Sequence, residues 1–190
     1  MRKDLEIETK YKALCTLEQF KHVCEMLGST EYINAQGYDH FYSREDDKNS
    51  FFRYRVDSGN GETELTYKQK LIEHNSIIRI EHNLHLKDLI TDNGEEFCFC
   101  MGYQFNSIIW KNSHIYIFKS CVLCYYTIED VTGDKEDQSF IEIELKDIGQ
   151  YEDEWQAMKK IEWLEHAFAE LEISKEQRIN ESLFEMYRRR

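Results

Sequence analysis

Charged side chains recur at alternate positions in several short stretches of this sequence, and this periodicity constrains the fold more than any other feature. The first stretch is Glu6-Ile7-Glu8-Thr9-Lys10. Successive side chains of an extended strand point to opposite faces, so its three charged residues share one face. The same spacing recurs in Arg53/Arg55, Lys68/Lys70, Arg79/Glu81 and Glu142/Glu144. A solvent-exposed strand face would explain one such stretch, but a closed barrel with a charged interior explains all of them.

The length and charge of the chain narrow the possible functions. With 190 residues and no linker-like segment, residues 1–190 are expected to form one domain with a sizeable core. The 24 Lys and Arg residues face 37 Asp and Glu residues, which gives a formal charge of −13. This excess of negative charge argues against a general affinity for nucleic acid or for an anionic membrane. Any anion-binding site must therefore be local.

The sequence carries no targeting or membrane signal that we recognise. No apolar run approaches the ~18 residues needed to cross a bilayer, and the first four residues begin no secretory signal. We therefore expect a cytoplasmic protein with reduced, mostly buried cysteines. Cys121 and Cys124 have the spacing of half a zinc site, but no second Cys or His pair matches it, so zinc is not expected.

Hydrophobic periodicity predicts the order of helices and strands. Thr16, with Gln19 three residues later, predicts the start of a helix that ends at Gly28. Strands are predicted at residues 36–43, 51–56, 64–71, 77–86, 105–118, 122–129 and 140–146. Turns are predicted at residues 57–61 and 133–135, and further helices at residues 92–101, 151–171 and 182–187.

The helix predicted at residues 151–171 carries a wide apolar stripe that would cover the outside of a barrel. The stripe consists of Trp155, Met158, Ile161, Trp163, Leu164, Ala167, Phe168 and Leu171.

The ordered set of motifs resembles the CYTH superfamily, the triphosphate tunnel metalloenzymes. Residues 6–10 are similar to its Glu-x-Glu-x-Lys signature, and residues 36–42, with Asp39, loosely match its Gln-x-Asp-x-Tyr-Phe strand. Further motifs similar to those of the family are Phe52-Arg53-Tyr54-Arg55, Leu65-Thr66-Tyr67-Lys68, Arg79-Ile80-Glu81, Phe140-Ile141-Glu142-Ile143-Glu144 and Glu181-Ser182-Leu183-Phe184-Glu185-Met186. The resemblance covers essentially the whole chain.

The resemblance implies an α+β fold, a closed antiparallel eight-stranded β-barrel tunnel with helices packed on the outside. It also implies a metal-dependent phosphohydrolase whose partner is a triphosphate-bearing small molecule. That substrate would be inorganic triphosphate, a nucleoside triphosphate or thiamine triphosphate. The oligomeric state stays open, with a homodimer among the possibilities.

The charged interior positions divide into cations for the substrate and acids for a metal. The expected substrate-binding residues are Lys10, Arg53, Arg55, Lys68, Lys70, Arg79 and Lys111. Lys10 and Lys68 are also candidates to position or deprotonate a water molecule, although an ion-pair role is equally open for both. The expected ligands of Mg²⁺ or Mn²⁺ are Glu6, Glu8, Glu81, Asp130, Glu142 and Glu144.

One position departs from the family pattern, and at another the sequence does not decide which of two acids faces the interior. Many members carry a Lys-x-Arg strand in the second half, whereas this chain has Ser113 two residues after Lys111, so one interior cation is missing. The resemblance favours Asp130 as the inward acid, but the alternation of Thr127, Glu129 and Val131 would favour Glu129.

Two other functions are compatible with the same charges. A class IV adenylyl cyclase would convert ATP to cyclic AMP and pyrophosphate, and the closing motif at residues 181–186 supports it. A non-catalytic protein would bind a nucleotide or polyphosphate without cleaving it. Such a protein could dispense with its interior carboxylates, yet this chain keeps them.

Overall fold

The computed structural model describes residues 5–59, 61–71, 78–86, 92–131 and 137–189. Nine strands lie in these segments: β1 Leu5–Lys12, β2 Glu31–Ser43, β3 Ser50–Asp57, β4 Thr63–Lys70, β5 Ile78–Leu86, β6 Gln104–Ile117, β7 Cys121–Asp130, β8 Gln138–Leu145 and β9 Arg178–Ile179. The four α-helices of the same segments are α1 Leu17–Met26, α2 Asp92–Cys100, α3 Glu154–Ala167 and α4 Leu183–Tyr187. The turn predicted at residues 133–135 lies outside the described residues.

Eight of these strands close into an antiparallel barrel, which confirms the predicted α+β tunnel fold. The strands follow one another around the sheet in the order β5-β4-β3-β2-β6-β7-β8-β1, and β1 then pairs with β5. The two ends of β1 meet different neighbours, because Glu6 lies opposite Arg79 of β5 while Lys10 lies opposite Glu142 of β8. The short β9 adds to β1 at Lys10 and Tyr11.

Strand alternation separates the charged interior from apolar outer faces. On β3, Phe52 and Tyr54 are buried outside the barrel against Cys98 of α2 and Tyr103, whereas Arg53 lines the interior. On β1 the outward residues Ile7 and Tyr11 pack in a larger core that includes α1 and α3. The apolar cores of this barrel therefore lie mainly outside it, which leaves the centre for charge.

The short helix α4 closes one end of the barrel. Phe184 packs against Phe51 with ring centroids 4.8 Å apart and against Phe41 at 6.0 Å. The helix begins with a capping box, in which Ser182 and Glu185 satisfy each other's backbone N–H groups. The resulting apolar cluster, which also contains Ile109, Ile128 and Phe140, fills the barrel at this end.

The predicted start of the first helix is confirmed. Thr16 caps α1. Its side chain accepts a hydrogen bond from the backbone N–H of Gln19, and the Gln19 side chain accepts one from the backbone N–H of Thr16. Gly28 follows the helix with a φ of 77°, a left-handed conformation that glycine adopts without steric strain.

The apolar stripe predicted on the long helix is partly wrong. Ile161 and Leu164 of α3 are buried as expected, but Trp155 is 66% exposed and Trp163 is 58% exposed. Both tryptophans lie on the outer face, where Lys160 Nζ stands 3.8 Å from the Trp163 ring centroid. The barrel needs only a narrow strip of α3 for cover, so these rings remain in solvent. None of the helices in the described part of the chain is long and apolar enough to span a membrane.

Candidate active site

The barrel interior encloses a cavity of about 300 Å³ lined mostly by charged side chains. The carboxylates that line it are Glu6, Glu8, Asp39, Glu64, Glu81, Glu142 and Glu144. The cations that line it are Lys10, Arg53, Arg55, Lys68, Arg79 and Lys111. The negative charge of the carboxylates and the positive charge of the cations nearly balance. The buried ions therefore stabilise one another in place of water.

One wall of the cavity is formed by β1, by β5 and by Lys68 of β4, the strand on the other side of β5. The Lys68 Nζ lies 2.8 Å from a carboxylate oxygen of Glu6 and 2.8 Å from one of Glu81. The Nη1 of Arg79 lies 2.6 Å from Glu8 Oε1. The Lys68–Glu81 pair joins the consecutive strands β4 and β5, whereas the Lys68–Glu6 and Arg79–Glu8 pairs form only when β1 closes the barrel against β5.

A second group of charges surrounds Glu142 on β8. Tyr126 donates its hydroxyl hydrogen to Glu142 Oε1 at 2.7 Å, and Lys10 Nζ lies 3.6 Å from the same oxygen. Lys111 Nζ stands 3.7 Å from the Tyr126 ring centroid and 3.9 Å from Glu142 Oε2. Lys10 also donates to the backbone carbonyl of Glu181 at 3.1 Å, which connects the charged interior to the segment that closes the barrel.

The opposite wall holds two arginines of β3, each with an acid from a neighbouring strand. Arg55 donates through Nε and Nη2 to both oxygens of Asp39, at 2.6 and 2.8 Å. Arg53 donates through Nη2 to Glu64 at 2.7 Å and to Thr66 Oγ1 at 2.9 Å. Burial alone would raise the pKa of Asp39, but the Arg55 guanidinium outweighs burial and holds this pKa well below its usual range.

The acids of β1 and β5 differ in their affinity for protons. Burial and the charge of Glu8 raise the pKa of Glu6 well above its ordinary value. Burial acts in the same direction on Glu8 and Glu81, but Lys68 and nearby arginines outweigh it. The pKa of Glu8 is lowered to about 2, and that of Glu81 is also lowered.

Of the acids that line the cavity, Glu144 is the most exposed, so its position marks an open mouth of the cavity. Its side chain is solvent-exposed, and it makes no ion pair with another described residue. Partial desolvation by the surrounding protein and the charge of Glu8 raise the pKa of Glu144 to about 7. Negative charge is therefore in excess at this mouth.

The two lysines expected to assist catalysis differ in their electrostatics. Burial lowers the pKa of Lys10, although Glu142 and Glu8 oppose this effect. Burial also acts to lower the pKa of Lys68, but Glu6 and Glu8 outweigh it and raise this pKa above the ordinary value. Of the two, Lys10 is the lysine that loses its proton more readily.

Two of the residues expected in the site lie outside the cavity. Lys70 is 40% exposed and pairs with Glu185 of α4 at 3.4 Å. Asp130 has the inward parity of β7 but lies beyond the cavity, near Tyr187 at the closed end. Glu129 is exposed on the outside. The structure brings the other predicted residues together along the tunnel.

Several tunnel residues were not among the predicted site residues. Asp39, Glu64, Tyr126 and Cys124 all point inward from β2, β4 and β7. Strand parity could have indicated Glu64, because it shares a face of β4 with Lys68. Asp39 shares a face of β2 with Phe41, and its place in the family-like motif at residues 36–42 was the sequence signal for its inward position.

The acids of the tunnel suit a hard divalent cation in kind, because Mg²⁺ and Mn²⁺ prefer carboxylate oxygens. In the described residues, however, no three His, Cys, Asp or Glu side chains form a ready metal site. Lys68 and Arg79 hold the oxygens of Glu6, Glu81 and Glu8 instead. The raised pKa of the exposed Glu144 shows that neighbouring carboxylates such as Glu8 repel its charge, and a bound cation would relieve this repulsion. The described carboxylates thus have the chemistry that such an ion prefers, but most of their oxygens are held by Lys and Arg side chains in this arrangement.

Comparisons with solved structures identify the fold. PH1012 from Pyrococcus horikoshii has a TM-score of 0.73 and 18% identity, over 93% of this chain and 96% of its own. A candidate adenylate cyclase from Vibrio parahaemolyticus has a TM-score of 0.71 and 16% identity, over 97% and 98% of the two chains. A candidate adenylyl cyclase from Hippeastrum, described as having a dominant triphosphatase activity, has a TM-score of 0.60 and 12% identity, over 96% and 94%.

The sequence comparisons give no match. No protein-family model matches this chain, and no curated protein is similar enough to report.

Proposed function

We propose that this chain, which has the fold of the CYTH-type tunnel proteins, is a metal-dependent phosphohydrolase that cleaves a triphosphate-bearing substrate. The observation that carries the proposal is the set of six Lys and Arg side chains around a cavity of about 300 Å³. So many enclosed cations suit a highly charged anion. The cavity volume lies near the lower limit of known ligand pockets, which suits a compact anion.

The substrate would reach the cations from the mouth at Glu144, because α4 fills the other end. Arginines would bind phosphate oxygens through paired N–H groups, and lysines would act as point charges. These groups are fixed by their ion pairs before the substrate binds, so they can stabilise charge on a leaving phosphate with little rearrangement.

The proposed ligands of Mg²⁺ or Mn²⁺ are Glu6, Glu8, Glu81, Glu142 and Glu144. A bound ion would neutralise phosphate charge and make a water molecule more acidic. Lys10, whose pKa is lowered by burial, is the residue we propose to position a water or accept its proton. Lys68 stays protonated between Glu6 and Glu81 and contributes charge only.

A class IV adenylyl cyclase is the second candidate. The closing motif forms the capped helix α4 against the tunnel, and the similar Vibrio parahaemolyticus protein is described as a candidate adenylate cyclase. Both reactions need the same cations and differ in which phosphorus is attacked. Sequestration without cleavage is a third possibility.

One assay separates these functions. The purified chain is incubated with inorganic triphosphate or ATP and either Mg²⁺ or Mn²⁺, and the products are identified. We expect orthophosphate; cyclic AMP with pyrophosphate would indicate a cyclase, and unchanged bound ligand would indicate sequestration.

The assay is repeated with a tunnel variant and a charge-matched control. Glu6→Ala should abolish turnover, because it removes a proposed metal ligand and one partner of Lys68. Glu170→Gln removes one charge from an exposed site outside the barrel and should be as active as the unmodified chain. Full activity in Glu6→Ala would contradict the assigned site.

A further inference from the structure

Arg53 has hydrogen-bonding capacity that the protein does not use. Its Nη2 donates to Glu64 and Thr66, but its buried Nε has no hydrogen-bond partner among the described residues. A guanidinium presents its donors in a plane that matches two oxygens of a phosphate as well as those of a carboxylate. An anion in the tunnel could therefore take both the free Nε–H and the position that Glu64 now holds.

The two acids that face the arginines of β3 are held very differently. Asp39 lies directly opposite Arg55 in the β2–β3 register, is 1% exposed and accepts two hydrogen bonds from it. Glu64 reaches Arg53 diagonally across β3 and β4. Its side chain is 20% exposed, and its Oε1 accepts one bond from Arg53 and one from the Thr66 hydroxyl. Asp39 is thus a fixed partner, whereas the more exposed Glu64 can move toward solvent when an anion takes its place on Arg53.

Glu64 also has a second position available. Its other oxygen, Oε2, lies 3.3 Å from Nδ1 of His85, which is opposite Glu64 on β5 and 74% exposed. A small rotation toward His85 would move the carboxylate to solvent. Arg53 would keep its bond to Thr66 Oγ1 during this rotation, whereas Glu64 would give up the bond that it accepts from the Thr66 hydroxyl.

We propose that Glu64 is a built-in competitor of the substrate: its carboxylate occupies the place on Arg53 that a phosphate group takes. Glu64 thereby sets the affinity of the tunnel for short polyphosphates. This inference rests on the proposed function only in requiring that the tunnel binds such anions, and it does not require that the chain cleaves them.

The competition predicts an increase in affinity when Glu64 loses its charge. In Glu64→Gln, the phosphate no longer displaces a carboxylate and gains a charge-assisted hydrogen bond to Arg53. Such a bond contributes enough free energy to tighten binding of inorganic tripolyphosphate about tenfold. If Glu64 instead held Arg53 in place for the substrate, the same variant would bind more weakly.

The experiment is isothermal calorimetry with inorganic tripolyphosphate, first in EDTA and then with Mg²⁺. The proteins are the unmodified chain, Glu64→Gln, Arg53→Gln, the double variant and the control Glu170→Gln. Removing an acid that lines the tunnel also raises affinity for an anion through the change in charge alone, so the double variant is the deciding sample. The gain from Glu64→Gln should disappear in the Arg53→Gln background, and Glu170→Gln should bind as the unmodified chain does.

The outcomes separate this inference from the proposed function. Unchanged or weaker binding by Glu64→Gln, a gain that persists without Arg53, or no binding by any of the proteins would overturn the inference. Tighter binding by Glu64→Gln without any cleavage by the unmodified chain would support the inference and contradict the hydrolase. Thermal unfolding of each variant checks that all have folded.

Discussion

At the scale of single residues, each cation that lines the tunnel lies within 4.0 Å of a carboxylate. Taking such charges out of water costs free energy, and each buried charge is tolerated only because its partner of opposite charge is present. Removing one partner from a buried pair should therefore matter far more than removing one from an exposed pair.

Asp39→Asn tests this difference directly. Asp39 is 1% exposed and Arg55 is 33% exposed, so losing the charge should lower the free energy of unfolding by about 2 to 3 kcal/mol, below the full cost of breaking a buried pair. Asp46→Asn is a matched control, because Asp46 accepts two similar bonds from Arg44 on an exposed loop and its loss should change little. Urea unfolding at pH 7 measures both.

The same pair predicts a pH dependence. The pKa of Asp39 in the folded chain lies well below its usual value, so its stabilisation is complete above the unfolded pKa of about 3.9. The stabilisation is lost as the pH falls from there through the folded pKa. The difference in stability between the unmodified chain and Asp39→Asn should shrink below about pH 4. A difference that is constant from pH 7 to pH 3 would refute this role.

At the scale of elements, α3 shows how far an apolar pattern predicts burial. The same helix carries Ile161, which is fully buried against the barrel, and Trp163, which is 58% exposed. A helix on the outside of a barrel can bury only the strip that touches it, however many apolar residues it carries.

These two positions of α3 give a prediction. Ile161→Ala should lower the free energy of unfolding by about 3 kcal/mol, because it leaves a cavity in the core between α3 and the barrel. Trp163→Ala should lower it by less than about 1 kcal/mol, since only an exposed ring and its contact with Lys160 are lost. Equal losses in a denaturant titration would show that the ring is buried after all.

At the scale of the whole molecule, the chain has a formal charge of −13, and part of the negative charge converges on the mouth of the barrel. A divalent cation that binds the folded tunnel and not the unfolded chain should stabilise the fold by mass action. The gain is about 2.7 kcal/mol at one hundred times the dissociation constant.

We therefore expect Mg²⁺ or Mn²⁺ to raise the midpoint of thermal unfolding by about 5 to 10 °C at saturating concentration. NaCl at the same ionic strength is the control, because it screens the net charge without binding carboxylates specifically. Chelation with EDTA should reverse the shift. An equal shift in NaCl would mean that screening alone is responsible.

The sequence by itself determined which side chains share a face. Alternation along each strand assigned Glu8, Arg53, Lys68 and Glu142 to the interior, because the period of two is a property of the extended backbone. The family motifs and the cap of α1 followed from local spacing in the same way.

The tertiary structure decided which of these charges meet. The pairing of Lys68 with Glu6 exists only because β1 closes against β5, its pairing with Glu81 depends on the register of β4 and β5, and the contact of Glu64 with Arg53 depends on the register of β3 and β4. The exposure of Trp163 likewise depends on how closely α3 meets the barrel. Register and closure are set by contacts between distant parts of the chain, and the periodicity of one strand carries no information about them.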